Sequence, residues 1–185
     1  MTLITTNTSS NAASSSFTSS IDSTYKLYIF KYYDVNPATD SAKFQFQGSI
    51  DGGSNYNVTM TTTFFRANHL EDDSAASLSY STGMDQAQGT AYQTIAQDMA
   101  NDADASAAGE LFLFNPSNTT YVKHWYSKTQ FYYVDSGAYC HFAAGYFNDT
   151  NDIDAVSFKM DSGNMDGVIK TVSYTHLRAH ETGRN

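Results

Sequence analysis

Apolar residues recur at every second position through much of this chain. In "AKFQFQGSI", Phe44, Phe46 and Ile50 fall on one side and Lys43, Gln45 and Gln47 on the other, the period of a half-buried antiparallel strand. In "YNVTMTTTFFR", Tyr56 to Arg66, the residues Val58, Met60 and Phe64 alternate with Asn57, Thr59, Thr61 and Thr63, which predicts a second strand. The denser aromatic run "STYKLYIFKYYDV", Ser23 to Val35, predicts a long strand closed by the Asn36-Pro37 turn signal. "ELFLFNPSNTTYVKHWY" reads as strand, turn at Asn115-Pro116-Ser117-Asn118, and strand, and its two arms should pair. "TQFYYV", "AYCHFAAGYF" and "AVSFKM" predict three more short strands, and "GVIK" is the last recognisable element.

Two stretches read differently. "ANHLEDDSAAS" is polar and predicts a loop. "MDQAQGTAYQTIAQDMANDADASAAGE" has the Ala and Gln content of a helix, but Gly89 and the weak amphipathic pattern favour a strand over Thr90 to Ala96, then a polar loop. About nine short strands with turn signals roughly every ten residues predict one all-β domain over residues 1–170, an antiparallel β-sandwich of jelly-roll-like form.

Composition narrows the partners. Aromatic residues make up 15% of the 185 and charged residues 16%, an ordered, β-leaning balance. The formal charge of −9 and pI near 4.7 disfavour nucleic acid and anionic membrane surfaces. The Ser/Thr-rich start has no basic segment followed by an apolar one, so no secretory signal is predicted, and no apolar run is long enough for membrane insertion. Cys140, the single cysteine, lies in an apolar run and reads as a buried structural thiol.

The ending "TVSYTHLRAHETGRN" breaks the pattern of a chain poor in basic residues. Written as codons, Ser173 to Thr182 resembles the read-through of a widely used transposase sequencing adapter, so residues 171–185 are expected to be a non-native tail. The i, i+4 pair His176 and His180, otherwise suggestive of a metal site, is set aside on that ground.

Candidate chemistry is sparse. No G-x-S-x-G elbow occurs, and His69, His124 and His141 are scattered, so a catalytic role is not expected. A free-standing hydrolase using His124 or Glu110 is the weakest alternative. "NDTNDIDA" crowds carboxylates as a calcium loop does, which makes Asp149, Asp152 and Asp154 the candidate ligands for a structural Ca2+, although the pattern is not an EF-hand; no other cofactor is expected. "KHWYSKTQFYY" gathers Trp125, Tyr126, Tyr132 and Tyr133, candidates for stacking against sugar rings.

Three blocks carry a family resemblance: "FTSSIDSTYKLYIFKYYDVNPATDSAKFQFQGSIDGGSNYN", "GELFLFNPSNTTYVKHWY" and "AAGYFNDTNDIDAVSFKMDSGNMDGVIK". In this order the chain resembles, from about Thr5 to Lys170, a β-rich module of marine tailed phages whose members are described as structural or tail-fibre-like proteins. In that family the last block continues into a strand resembling "LYG", and here the chain departs from it at Thr171. The resemblance implies a virion-associated structural protein, made in the host cytoplasm and carried in the extracellular particle. It further implies a surface for a host-surface glycan or for other virion proteins, and assembly as a homotrimer. It implies no catalytic residue. The alternative from another class is a non-catalytic carbohydrate-binding or adhesion module of a secreted bacterial protein.

Overall fold

A computed structural model describes residues 1–174. Twelve strands and no helix make up the described chain: β1 (Thr2–Ala12), β2 (Ser15–Phe17), β3 (Leu27–Pro37), β4 (Ala42–Ser49), β5 (Met60–Leu70), β6 (Ala76–Tyr80), β7 (Gln93–Met99), β8 (Ala107–Phe114), β9 (Lys123–Tyr133), β10 (Gly137–Phe147), β11 (Ala155–Met160) and β12 (Met165–Ser173). All pairs are antiparallel.

The pairing runs β1-β12-β3-β8-β9, then from the other side of β9 through β10 and β5 to β6. A second run, β7-β4-β11-β2, is joined to β9 by the bridge between Met99 and Tyr133. At the far ends β1 and β2 approach each other, where the Asn7 side-chain amide donates to the Ser16 carbonyl at 2.9 Å. The result is a nearly closed, barrel-like antiparallel sheet. Closure of this kind leaves few edges to protect.

Its interior is aromatic. Phe158 of β11 lies within 6.3 Å, ring centroid to ring centroid, of Phe17, Phe30, Tyr32, Phe44 and Phe46. Trp125 of β9 meets Phe46 edge to face at 4.6 Å. Each such pair contributes about 0.5–1.5 kcal/mol beyond burial of its area.

The predicted hairpin is present, with Leu113 opposite Trp125 and Ala107 opposite Phe131. β11 has the predicted bounds, and Phe44 and Phe46 point inward as expected. Several expectations are corrected. "KHWY" and "TQFYY" form one strand, β9. The stretch "ANHL" extends β5 to Leu70, because β10 pairs with it along eleven positions. The Ser/Thr-rich start forms β1 and β2. Gln47 does not face solvent; it is fully buried, and its side-chain amide donates to the carbonyls of Val58, Thr90 and Ala91. The last predicted element, "GVIK", is longer than expected: β12 runs on through Thr171, Val172 and Ser173, which are buried between β1 and β3. His176, Arg178, His180 and Arg184 lie outside the described residues.

Candidate functional site

The C-terminal half of strand β8, Leu111 to Phe114, is apolar on both sides. Leu111 and Leu113 enter the core, so the alternation of the strand turns Phe112 and Phe114 outward. On β9, Trp125, Ser127, Thr129 and Phe131 point in, leaving His124, Tyr126, Lys128 and Gln130 outside. The register sets Phe112 directly opposite Tyr126. Their rings stack at 4.6 Å and 14°, and Phe114 leans on Tyr126 at 5.9 Å. Such a platform presents a flat apolar surface on a solvent-facing sheet.

Two hollows flank the platform. One, of about 370 Å³, is bordered by Thr61, Thr63, His124, Tyr126 and Tyr146. The other, of about 580 Å³, is bordered by Asn115, Asn118, Thr120, Tyr121 and His124. Both touch Phe114 and His124, so they adjoin. Ala144, beside Tyr126 on the outer side of β10, has too little side chain to fill the first. The result is aromatic faces ringed by hydroxyl, amide and imidazole groups, without a carboxylate among the bordering residues.

The four aromatic residues singled out from sequence separate. Trp125 is 2% exposed and packs in the core against Phe46, so it cannot stack on a ligand. Tyr133 shares its side of β9 and stacks on Tyr139 at 4.0 Å. Tyr132 is half-buried on the outer side, bordering a separate hollow with His69, Glu71 and Gln130. Tyr126, 41% exposed, belongs to the platform. Phe112, Phe114, Tyr121 and Tyr146 complete the face and were not singled out. The sequence signal for the first two was the unbroken apolar string "LFLF", which is longer on both parities than one buried side requires.

The carboxylates of the acidic loop turn to local partners. The Asp149 carboxylate accepts from the Asn151 backbone and side chain at 2.7 and 3.0 Å. Both Asp154 oxygens accept from the Gly52 N–H at 3.0 Å. Among the described residues no three His, Cys, Asp or Glu side chains gather as metal ligands. The buried Lys123 ammonium instead donates to the Asp149 carbonyl, and burial lowers its pKa.

Glu110, His141 and Cys140 are each tied into the surrounding structure. Glu110 pairs with Lys31 at 2.8 Å. It sits opposite Lys128, four positions along β9 from His124 and so about 13 Å away. His141 is fully buried between Phe64 and Phe131, at ring-centroid distances of 4.8 and 4.7 Å. Burial, with the nearby Arg66 charge, lowers its pKa to about 3. Cys140 is half-buried on the outer side of β10 rather than in the core, and burial raises its thiol pKa. The chain matches no protein-family model, and no curated protein or solved structure is significantly similar to it.

Proposed function

We propose that this chain is a non-catalytic binding domain of a tailed-phage virion, a tail-fibre or appendage module that displays the outer side of β8, β9 and β10 to the host surface. The observation that carries this reading is the stacked Phe112–Tyr126 pair with Phe114 beside it, open to solvent between two polar-rimmed hollows. Exposed aromatic faces bordered by hydroxyls and amides suit the apolar faces and hydroxyl rims of pyranose rings. The acidic chain disfavours anionic polymers and leaves neutral glycans the better match. The resemblance to marine tailed-phage modules supplies the virion context.

A finer architecture goes with this reading. The eight-strand run and the four-strand run serve as the two layers of a sandwich, with Phe46 and Phe158 of the smaller layer meeting Trp125 and Phe30 of the larger. Such a scaffold holds the outer side rigid, which lowers the ordering cost of binding.

The test has two parts. Mass spectrometry of purified particles should detect the chain among virion proteins, and the isolated domain should compete with particles for adsorption to host cells. Absence from particles, together with binding to plant or bacterial polysaccharide, would favour the carbohydrate-binding module of a secreted protein.

A further inference from the structure

Strand β6 is the exception to the nearly closed sheet. β1 and β2 meet through Asn7 and Ser16, and β7 is bridged to β9. β6 pairs with β5 on one side, and on the other it has no partner among the described residues.

The hydrogen-bond phase of that edge is fixed. Leu70 N–H donates to the Ala75 carbonyl and Ser81 N–H to the Phe64 carbonyl, each at 2.9 Å. Bonded and non-bonded pairs alternate along an antiparallel ladder. Ser77 and Ser79 therefore face β5, while the N–H and C=O groups of Ala76, Leu78 and Tyr80 point to the open side.

The strand itself carries none of the common edge safeguards. "ASLSY" holds no charge, proline or bulge, the usual safeguards against strand addition. Leu78 is 74% exposed and Tyr80 53%. They continue an apolar stripe that starts with Phe142 stacked on Phe65 at 4.9 Å and 8°.

We propose that β6 is a self-association edge, to which a second copy of this chain adds its own β6 across a two-fold axis at Leu78. The segment is self-complementary under that operation. Leu78 lies opposite its counterpart and Ala76 opposite the second copy's Tyr80, so all three outward positions exchange both backbone hydrogen bonds. The side chains that meet are Leu with Leu and Ala with Tyr, and no charge faces another within the paired segment. The interface is isologous and closes at two copies, in place of the three-fold assembly expected from the family resemblance.

One term opposes the pairing. Each copy is acidic, and the operation brings the turn carrying Glu71, Asp72 and Asp73 toward the segment carrying Asp85 of the other copy. Salt screens like charges, so association through this edge strengthens as ionic strength rises, the reverse of an interface held by ion pairs. The edge lies three strands from Tyr126 and does not depend on the host-recognition reading.

Sedimentation velocity of the full chain, from low to high micromolar concentration and at low and high salt, tests the proposal. The expected result is a monomer–dimer equilibrium that tightens with salt. Leu78→Lys, which sets two ammonium groups against each other at the axis, should weaken it at least about tenfold while leaving the circular dichroism and melting temperature unchanged. Leu78→Cys in a Cys140→Ser background should oxidise to a covalent dimer, because facing strand positions lie within disulfide reach. A chain that stays monomeric under all conditions, a trimer, or a dimer untouched by Leu78→Lys would overturn the proposal.

Discussion

The Lys123 ammonium rises from the core beneath the 148–154 loop and donates a 2.8 Å hydrogen bond to the Asp149 carbonyl. It supplies from inside the positive charge that the acidic loop could otherwise have taken from a metal ion. Asp149 and Asp152 act on it favourably and partly offset the cost of burial. Millimolar calcium is therefore expected to leave the melting temperature unchanged. Lys123→Ala, which removes a buried stem and leaves the carbonyl unpaired, should cost about 2–4 kcal/mol, and amide hydrogen exchange should accelerate across residues 148–154. A calcium-dependent rise in melting temperature would refute the resident-lysine account.

Gly167 and Asp34 bend neighbouring strands together. Asp34 has φ 53° and Gly167 φ 135°. The register slips between Tyr32 and Val35 on one ladder and between Asp166 and Val168 on the next. A Cβ on Gly167 would lie 2.9 Å from the Val35 Cα and 3.1 Å from the Asp34 carbonyl. Both atoms are backbone, so neither yields easily. Gly167→Ala should therefore destabilise the fold by about 1–3 kcal/mol, read as a shift in the denaturant midpoint. Asp34→Gly, which relieves a left-handed non-glycine residue, should be neutral or slightly stabilising.

Legibility followed how cleanly each strand separates apolar from polar positions. β4 and β11 and the β8–β9 hairpin were readable because aromatic and aliphatic residues mark their inward parity. The middle of β9 was not, since its inward positions there are Ser127 and Thr129. Thr129 shares a buried 2.6 Å hydrogen bond with the Tyr32 hydroxyl, a cross-strand partner that no local window contains. β1 was missed for a related reason: "TLITTNTSSNA" has few apolar residues and becomes a strand through its ladder with β12. The aromatic cluster on β9 was visible, but its parity divides it. Trp125, the most conspicuous residue, faces inward, and Tyr126 faces the solvent beside two phenylalanines contributed by β8.

The platform makes a prediction that separates binding from stability. Tyr126→Ala and Phe112→Ala each remove half of a stacked pair on the exposed side, where truncation changes stability by about 1 kcal/mol or less. If this face recognises a host glycan, each should weaken binding to host-derived glycans at least about tenfold, measured by titration calorimetry. Trp125→Phe, altering a core residue, should leave binding intact. The reverse order of effects would move the site elsewhere.

His141 places an acid-sensitive group in the core of the fold. Neither ring nitrogen has a hydrogen-bond partner, and Phe64 and Phe131 crowd the ring. Its pKa falls from 6.5 to about 3 on folding. The unfolded chain therefore binds a proton that the folded chain refuses between those two values. Stability is complete above pH 6.5 and declines as the pH falls toward 3, by about 1.4 kcal/mol per unit at the steepest from this group alone. His141→Phe preserves an aromatic ring beside Phe64 and Phe131 and removes both unpaired nitrogens, so it should flatten that acid limb relative to the parent chain. Urea midpoints measured at intervals between pH 7 and 4 give the comparison. Parallel curves for the two proteins would show that some other group carries the proton linkage, whereas curves that converge near neutrality and separate in acid assign it to His141.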